Sequence, residues 1–249
     1  MNKNKLINYI KKYYLNGKCA SAGSKSSPVK LQINDKVLSV GCVSSANDCV
    51  INLKMKDFDL QDTQLGIYDT GDFLKIINAM DDDITISIPQ EDGQNAHSLT
   101  ISDKNAKAEY ICCDEQLIQK TPQLKNDPEY DIVCDITKEF TQNFIRYFNA
   151  LSQIDTFAIT QKDDKIKLTL NYSTVNVNNI VLDMPENKNE GVKFSETLCF
   201  PAGYLKEILT VNDDESLKGT MYISKNGLMK IVYSNDIYDI KYYLIYRVV

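Results

Sequence analysis

A chain of 249 residues, 43% of them apolar, has room for one large domain or two ordinary ones, and its composition is that of a globular protein. The net charge of −6 is unevenly spread: residues 1–34 hold seven Lys and no acid, so the other 21 basic residues and all 34 acidic ones lie beyond and carry −13. No apolar run approaches the roughly 18–20 residues of a membrane span, the start reads as an amphipathic helix rather than a signal peptide, and seven cysteines without a C-x-x-C pair imply free thiols in a reducing cytoplasm.

In chain order, Asn4–Leu15 is the first expected helix, with Leu6, Ile10 and Tyr13 as its apolar stripe and Lys5, Lys11 and Lys12 placed away from it. Lys18–Ser27 is small and polar, a loop. Val29–Ile33, Val37–Val43 and Cys49–Met55 read as strands separated by turns. Phe58–Tyr68 is extended and enters a second helix with Thr70 as its expected N-cap. Asp81-Asp82-Asp83 ends that helix; it lacks the spacing and glycine of a calcium loop and reads as a solvated turn. Strand Ile84–Ile88 leads into a polar loop, followed by a hairpin of Ser98–Ser102 and Ala106–Cys113 about Asp103-Lys104-Asn105. The neighbours Cys112 and Cys113 face opposite sides of that strand and serve as small hydrophobes.

Residues 114–131 change character, with Pro122, Pro128 and few β-formers, which marks a domain boundary. Leu117, Ile118 and Leu124 are apolar residues on this otherwise polar connector. The expected domains are therefore 1–113 and 132–249, joined by 114–131. In the second, Asp131–Asp135 is a strand and Thr137 caps the third helix. Strands at Thr156–Thr160 and Lys165–Leu170 flank a Lys162-Asp163-Asp164 turn, and Val175–Leu182 is another β-run. A charged loop, Glu186–Gly191, precedes strand Val192–Phe200 and the fourth helix, Ala202–Leu209. Thr220–Ile223, Leu228–Ser234 and Ile237–Val249 close the chain, with a hairpin turn at Asn226-Gly227.

The two halves share a pattern. Phe73-Leu74-Lys75-Ile76-Ile77-Asn78-Ala79-Met80 matches Phe144-Ile145-Arg146-Tyr147-Phe148-Asn149-Ala150-Leu151: aromatic, aliphatic, basic, two apolar, Asn, Ala, apolar. Tyr9-Ile10-Lys11 and Tyr204-Leu205-Lys206 echo it more faintly. At about 100° per residue, Tyr9/Tyr13, Phe73/Ile77, Phe144/Phe148 and Tyr204/Ile208 each share one helix face, and the cation two positions after the aromatic points about 200° away. A solvated helix face explains any one such cation; four in a repeated context suggest a purpose. The fold class is α+β, with two similar domains that each set two helices on antiparallel sheet.

Catalytic constellations are scarce. His97 is the only histidine, which argues against His-based zinc sites and Ser-His or Cys-His nucleophiles. Gly23-Ser24-Lys25 has no glycine at P-loop distance before it, and there is no G-x-S-x-G. The reading is of a non-enzyme with no cofactor and no metal.

At Ile67-Tyr68-Asp69, Phe73-Leu74 and Asp81-Asp82, and again at Gln153–Thr160 with Lys165–Leu168, the sequence resembles the sliding clamps of T-even-type bacteriophages. These are DNA polymerase processivity factors, cousins of the eukaryotic and archaeal proliferating-cell clamps. Gln153–Thr160 is the most specific match, and the resemblance extends loosely over most of the chain. Departures are longer 88–100 and 183–191 loops and a C-terminus that ends directly in a strand, which bears on partner binding near the tail.

The resemblance implies two domains of the DNA clamp fold and a homotrimeric ring that encircles duplex DNA without sequence preference. It implies that Lys11, Lys75, Arg146 and Lys206 face the DNA, with Lys3, Lys5 and Lys12 behind them. It implies edge-strand pairing between copies, Ala108, Tyr110 and Cys112 of one chain meeting Val175, Val177 and Ile180 of the next. The partners would be a DNA polymerase and an ATP-dependent clamp loader, docking at a groove of Leu117, Ile118, Leu124, Tyr243 and Leu244. The setting would be cytoplasmic, that of a bacterial host if the gene is a phage's. Two alternatives are a clamp-fold interaction scaffold that does not encircle DNA, and an enzyme with an unrecognised carboxylate site.

Overall fold

The computed structural model describes residues 1–18, 28–89, 95–162, 165–175, 177–189 and 195–248. Cys19, Gly23-Ser24-Lys25, the Asp163-Asp164 turn, and residues 190–194, where the Glu186–Gly191 loop meets the Val192–Phe200 run, lie outside them. The chain divides into two compact units, residues 1–122 with 236–240, and residues 123–235 with 241–249. The 114–131 stretch is thus shared between the units. A short piece near the C-terminus belongs with the first, and no feature of its composition foreshadows that.

The first unit contains α1 (Lys3–Tyr14), β1 (Val29–Asn34), β2 (Val37–Val43), β3 (Cys49–Met55), β4 (Thr63–Ile67), α2 (Thr70–Ala79), β5 (Thr85–Ser87), β6 (Asn95–Ala96), β7 (Ser98–Ser102) and β8 (Lys107–Ile111). Its strands run β6-β4-β1-β2-β3 in one sheet and β5-β7-β8 in another. Beyond β3, Lys56 N–H donates to the carbonyl of Ile237 at 2.8 Å. The pairing of β6 with β4 is parallel, Gln64 opposite Asn95 and Leu65 opposite Ala96. The sequence reads there as a polar loop only, because two residues carry no periodicity.

The second unit contains β9 (Ile132–Ile136), α3 (Lys138–Ala150), β10 (Thr156–Lys162), β11 (Lys165–Leu170), β12 (Ile180–Asp183), β13 (Leu198–Pro201), α4 (Ala202–Val211), β14 (Lys218–Ser224), β15 (Leu228–Ser234) and β16 (Tyr238–Ile245), the last beginning in the first unit. Its strands run β12-β11-β10-β13 and β16-β15-β14-β9. The order β4-β1-β2-β3 in one unit is therefore repeated as β13-β10-β11-β12 in the other, each time after a helix and with a second helix following the outermost strand. The units do repeat, but the topology matches α1 with α3 and α2 with α4, so the eight-residue likeness of Phe73–Met80 to Phe144–Leu151 pairs helices in non-equivalent places and reflects their shared aromatic stripe rather than the register of the repeat.

Local chemistry explains the element ends. Asn2 caps α1 by accepting from Asn4 N–H at 2.9 Å, and Thr137 caps α3 by accepting from Phe140 N–H at 3.1 Å. For α2 the cap is Asp69, which accepts from Asp72 N–H at 2.9 Å, and Thr70, expected in that role, is the buried first residue of the helix. At the 103–106 turn, Asp103 accepts from Asp81 N–H through Oδ2 and from Asn105 and Ala106 N–H through Oδ1, each at 2.7 Å, and these bonds, that from Asp81 foremost, hold its carboxyl below the usual range. Gly227 sits at φ +85° in the β14–β15 turn, where Tyr246 lies so close that a Cβ would stand 2.2 Å from its ring.

The cores sit under the helices. Tyr9 and Tyr13 meet edge to face at 5.8 Å, and Phe73 meets Tyr110 at 4.9 Å. In the second unit Phe144 is fully buried among Phe140, Phe148 and Phe157, and Phe157 continues to Phe200 at 5.7 Å. Emptying that ring position removes several aromatic contacts at once, so Phe144→Ala should cost about 3–5 kcal/mol. A urea or thermal unfolding series that finds less than about 1 kcal/mol contradicts this packing.

Candidate nucleic-acid interface

The four helices carry the candidate DNA-facing cations, and the structure sorts them by angle. Tyr9, Tyr13, Phe73, Ile77, Phe144, Tyr204 and Ile208 are buried, as the stripe requires. Lys11, Lys75 and Arg146, two positions after each aromatic, are exposed. Lys12 is not: it is 3% exposed, and its ammonium stands 5.5 Å from the centroid of the Tyr238 ring. Placing Lys12 on the outward face is thus corrected by the geometry. Lying three residues after Tyr9, it falls only about 60° from the buried stripe, and Lys5, one turn before Tyr9, only about 40°. Lys5 is half-buried and donates to the carbonyl of Asp57 at 3.2 Å. Lys3 is also drawn in, its ammonium on the carbonyl of Met80 at 2.5 Å.

The remaining cations differ in how much charge they keep. Lys75 lies 2.6 Å from Asp72, one turn back, and the carboxylate raises its pKa. Lys206 is half-buried and bonds Glu207 at 2.8 Å, and Glu207 is itself buried. Arg146 has neutral partners: its guanidinium donates to Asn143 Oδ1 and to Tyr147 Oη, each at 2.9 Å, and stacks on the Tyr147 ring. It is oriented without being neutralised. Lys11 is exposed. By charge, Lys11 and Arg146 are therefore the strongest candidates of the set to face an anion.

The expected edge strands are met in part. β8 is an end strand of its sheet, and so is β12. Ala108 is half-buried, and Tyr110 turns inward onto Phe73 while its hydroxyl accepts from Asp69 N–H at 3.2 Å. Cys112 is half-exposed, and burial pushes its thiol up to about 11. The outward side chains on β8 are instead Lys107, Glu109 and Ile111. The β-run expected at Val175–Leu182 forms only as β12, so Ile180 is in the strand and Val175 and Val177 precede it, both exposed. Asn171 and Asn178 flank these valines and favour a bent path: the Asn171 amide donates to the carbonyl of Asn178 at 2.8 Å.

In the first unit the connector is laid across the sheet strand by strand. Cys113 N–H donates to the carbonyl of Gly66 on β4 at 2.8 Å, and Glu115 pairs with Lys30 on β1 at 3.4 Å. Gln119 bonds Asn47 at 3.2 Å, and Thr121 rests on Gly41 of β2. Leu117 is 66% exposed and Ile118 half-buried. In the second unit, Lys230 bonds Asp127 and sits between the rings of Tyr130 and Tyr222, 5.3 and 5.2 Å from their centroids. Leu124 is 48% exposed and Tyr243 half-buried, but Leu244 is fully buried and cannot line a docking groove. Alternation along β16 decides this, since Tyr242 and Leu244 point inward together.

Among the described residues no cluster of His, Cys, Asp or Glu is arranged to hold a metal, and no helix is long and apolar enough to cross a membrane. Over its full length the chain superposes on A. fulgidus PCNA, from a structure with the C-terminal region of FEN-1 bound, with a TM-score of 0.72 and 17% identity, covering 97% of that chain. The fold is that of PCNA. The Entamoeba histolytica proliferating cellular nuclear antigen is similar too, with a TM-score of 0.68 and 14% identity over 97% of this chain and 96% of that one. Over 105 residues the chain is 31% identical to the sliding clamp of Escherichia phage RB69. That alignment spans 42% of this chain and 43% of the phage protein, so the chain matches less than half the length of this curated relative. No protein-family model matches.

Within this PCNA fold, the start of the connector passes so close to Gly66 that a Cβ there would stand 2.1 Å from the Cys113 carbonyl oxygen. Gly66→Ala should therefore lift the start of the connector, lowering stability by about 1–3 kcal/mol and speeding thiol labelling of Cys113. Parental stability and parental labelling kinetics in this variant would show that the close approach is not a constraint.

Proposed function

We propose that the protein is a DNA sliding clamp: three copies close into a ring around duplex DNA and tether a replicative polymerase, the ring being placed by an ATP-dependent loader. The reading is carried by the full-length likeness to PCNA together with helices that seat aromatics on the sheet and turn Lys11, Lys75 and Arg146 outward. A ring of like subunits closes through a heterologous contact, one edge meeting a different edge of the next copy. The repeat supports β8 and β12 as those edges. β12 holds in its unit the place that β3 holds in the other, and β8 the place of β16. Within the first unit, β3 is already continued by the segment that begins β16.

The charge pattern suits such a role. The acidic body repels DNA in general, and a few cations on helices attract it locally. Fields across water decay over roughly 8 Å at physiological salt, so contacts with phosphates are weak and transient. Retention then depends on topology rather than affinity. The chain itself does no chemistry in this account, and its partners are duplex DNA, the polymerase and the loader.

The helix cations test this reading. Lys11→Glu combined with Arg146→Glu should reduce loading and processive synthesis on primed circular DNA several-fold. It should also flatten the dependence of log affinity on log salt by about 0.9 for each phosphate no longer neutralised. Lys75→Glu and Lys206→Glu should matter less, because Asp72 and Glu207 already offset those charges. Lys12→Met, at a buried position, should leave DNA binding unchanged. Undiminished processivity in the double variant contradicts the proposal.

A further inference from the structure

β9 ends the ladder β16-β15-β14-β9, so one side of its backbone faces away from the sheet. An edge of this kind is a ready template for a strand from another molecule. Here it is occupied by the chain's own residues 187–189. Val133 N–H donates to Asn187 Oδ1 at 2.9 Å, and Lys188 N–H donates to the Val133 carbonyl at 2.8 Å. Both peptide groups of Val133 are thus engaged as a neighbouring strand would engage them, with the Asn187 side chain standing in for one peptide oxygen. The Asn189 amide donates to the carbonyl of Tyr130 at 2.9 Å, and Lys188 Nζ reaches Asp135 at 2.6 Å, which lowers the pKa of that carboxyl. The segment also braces itself: Asn189 N–H donates to Asn187 Oδ1 at 3.2 Å, and the Asn187 amide donates to the Asn189 carbonyl at 3.0 Å.

The other edges are treated unequally. At β13, Arg247 N–H donates to the carbonyl of Cys199 at 2.8 Å, so the chain covers that end as well. β12 ends its sheet with Val181 56% exposed, and in the first unit β8 ends its own with Ile111 68% exposed. Of these four edges, β9 and β13 are covered by the chain itself, and β8 and β12 present exposed apolar side chains.

We infer that Asn187–Asn189 is an edge guard, a surrogate strand that denies β9 to a second copy of this chain and leaves strand addition to the open edges. Its value to assembly rests on the ring reading above; the closure of β9 itself does not. A strand from a second copy added at β9 would give an association other than the edge-to-edge contact proposed for the ring, and so a species outside it.

The full chain carrying Asn187→Ala and Asn189→Ala tests this by amide hydrogen exchange and light scattering. Exchange at Val133 should become about ten-fold faster, and species larger than the parent's should grow with concentration. Asn187→Asp keeps the oxygen that Val133 uses, so it should retain most of that protection. Should the double variant fail to fold, Asn187→Ala alone supplies the same Val133 readout. Parental exchange at Val133 overturns the surrogate strand, and faster exchange without larger species overturns the guarding role. A parent that is not trimeric contradicts the ring reading but leaves the Val133 result to stand or fall by itself.

Discussion

Each helix of this protein must bury an aromatic stripe on a sheet, and that requirement orders the rest. With Tyr9, Phe73, Phe144 and Tyr204 fixed against strands, the residues two positions later have nowhere to go but outward or along the rim. The helix surface is thus not free to carry charge anywhere. Positions near the stripe are taken into the protein even when they are basic, as Lys12 is, and a cation survives as a field source only on the far side. Burial of a lysine ammonium needs compensation, and the Tyr238 ring beside Lys12 supplies part of it.

The sheets answer a second constraint, the management of edges. The same strand order occurs in both units, and in both a helix precedes and a helix follows. Repetition makes like edges, and like edges invite indiscriminate pairing. The molecule deals with them one at a time, by a backbone bridge at β13 and by amide side chains at β9. Among the edges left open, β8 and β12 are the pair on which the proposed ring would close.

Much of this is legible in the residues. Helices announce themselves because an aromatic at one position and an apolar residue four later recur with a polar face between them. Long strands such as β2 and β3 can be read to the residue, since clean alternation across a turn leaves a single register. The structure departs from the reading where periodicity is short or its angle is overlooked. β6 has two residues, β12 has four, and the valines before β12 look like strand but are flanked by asparagines that bend the chain. Lys5 and Lys12 are basic and so look outward, yet their angles place them beside Tyr9. Leu244 is apolar and near the tail, although alternation from Tyr242 buries it. The roles of Asn187 and Asn189 leave no signal at all, because amides in a loop read as loop.

The functional account needs a geometry in which weak, sequence-independent contacts suffice, and only closure supplies it. An open form of the same fold would hold DNA no better than a few screened lysines allow. The solution mass of the purified chain, measured by light scattering across concentration, tests this most directly. A mass three times that of the chain is what the account predicts. A monomer at every concentration would contradict it.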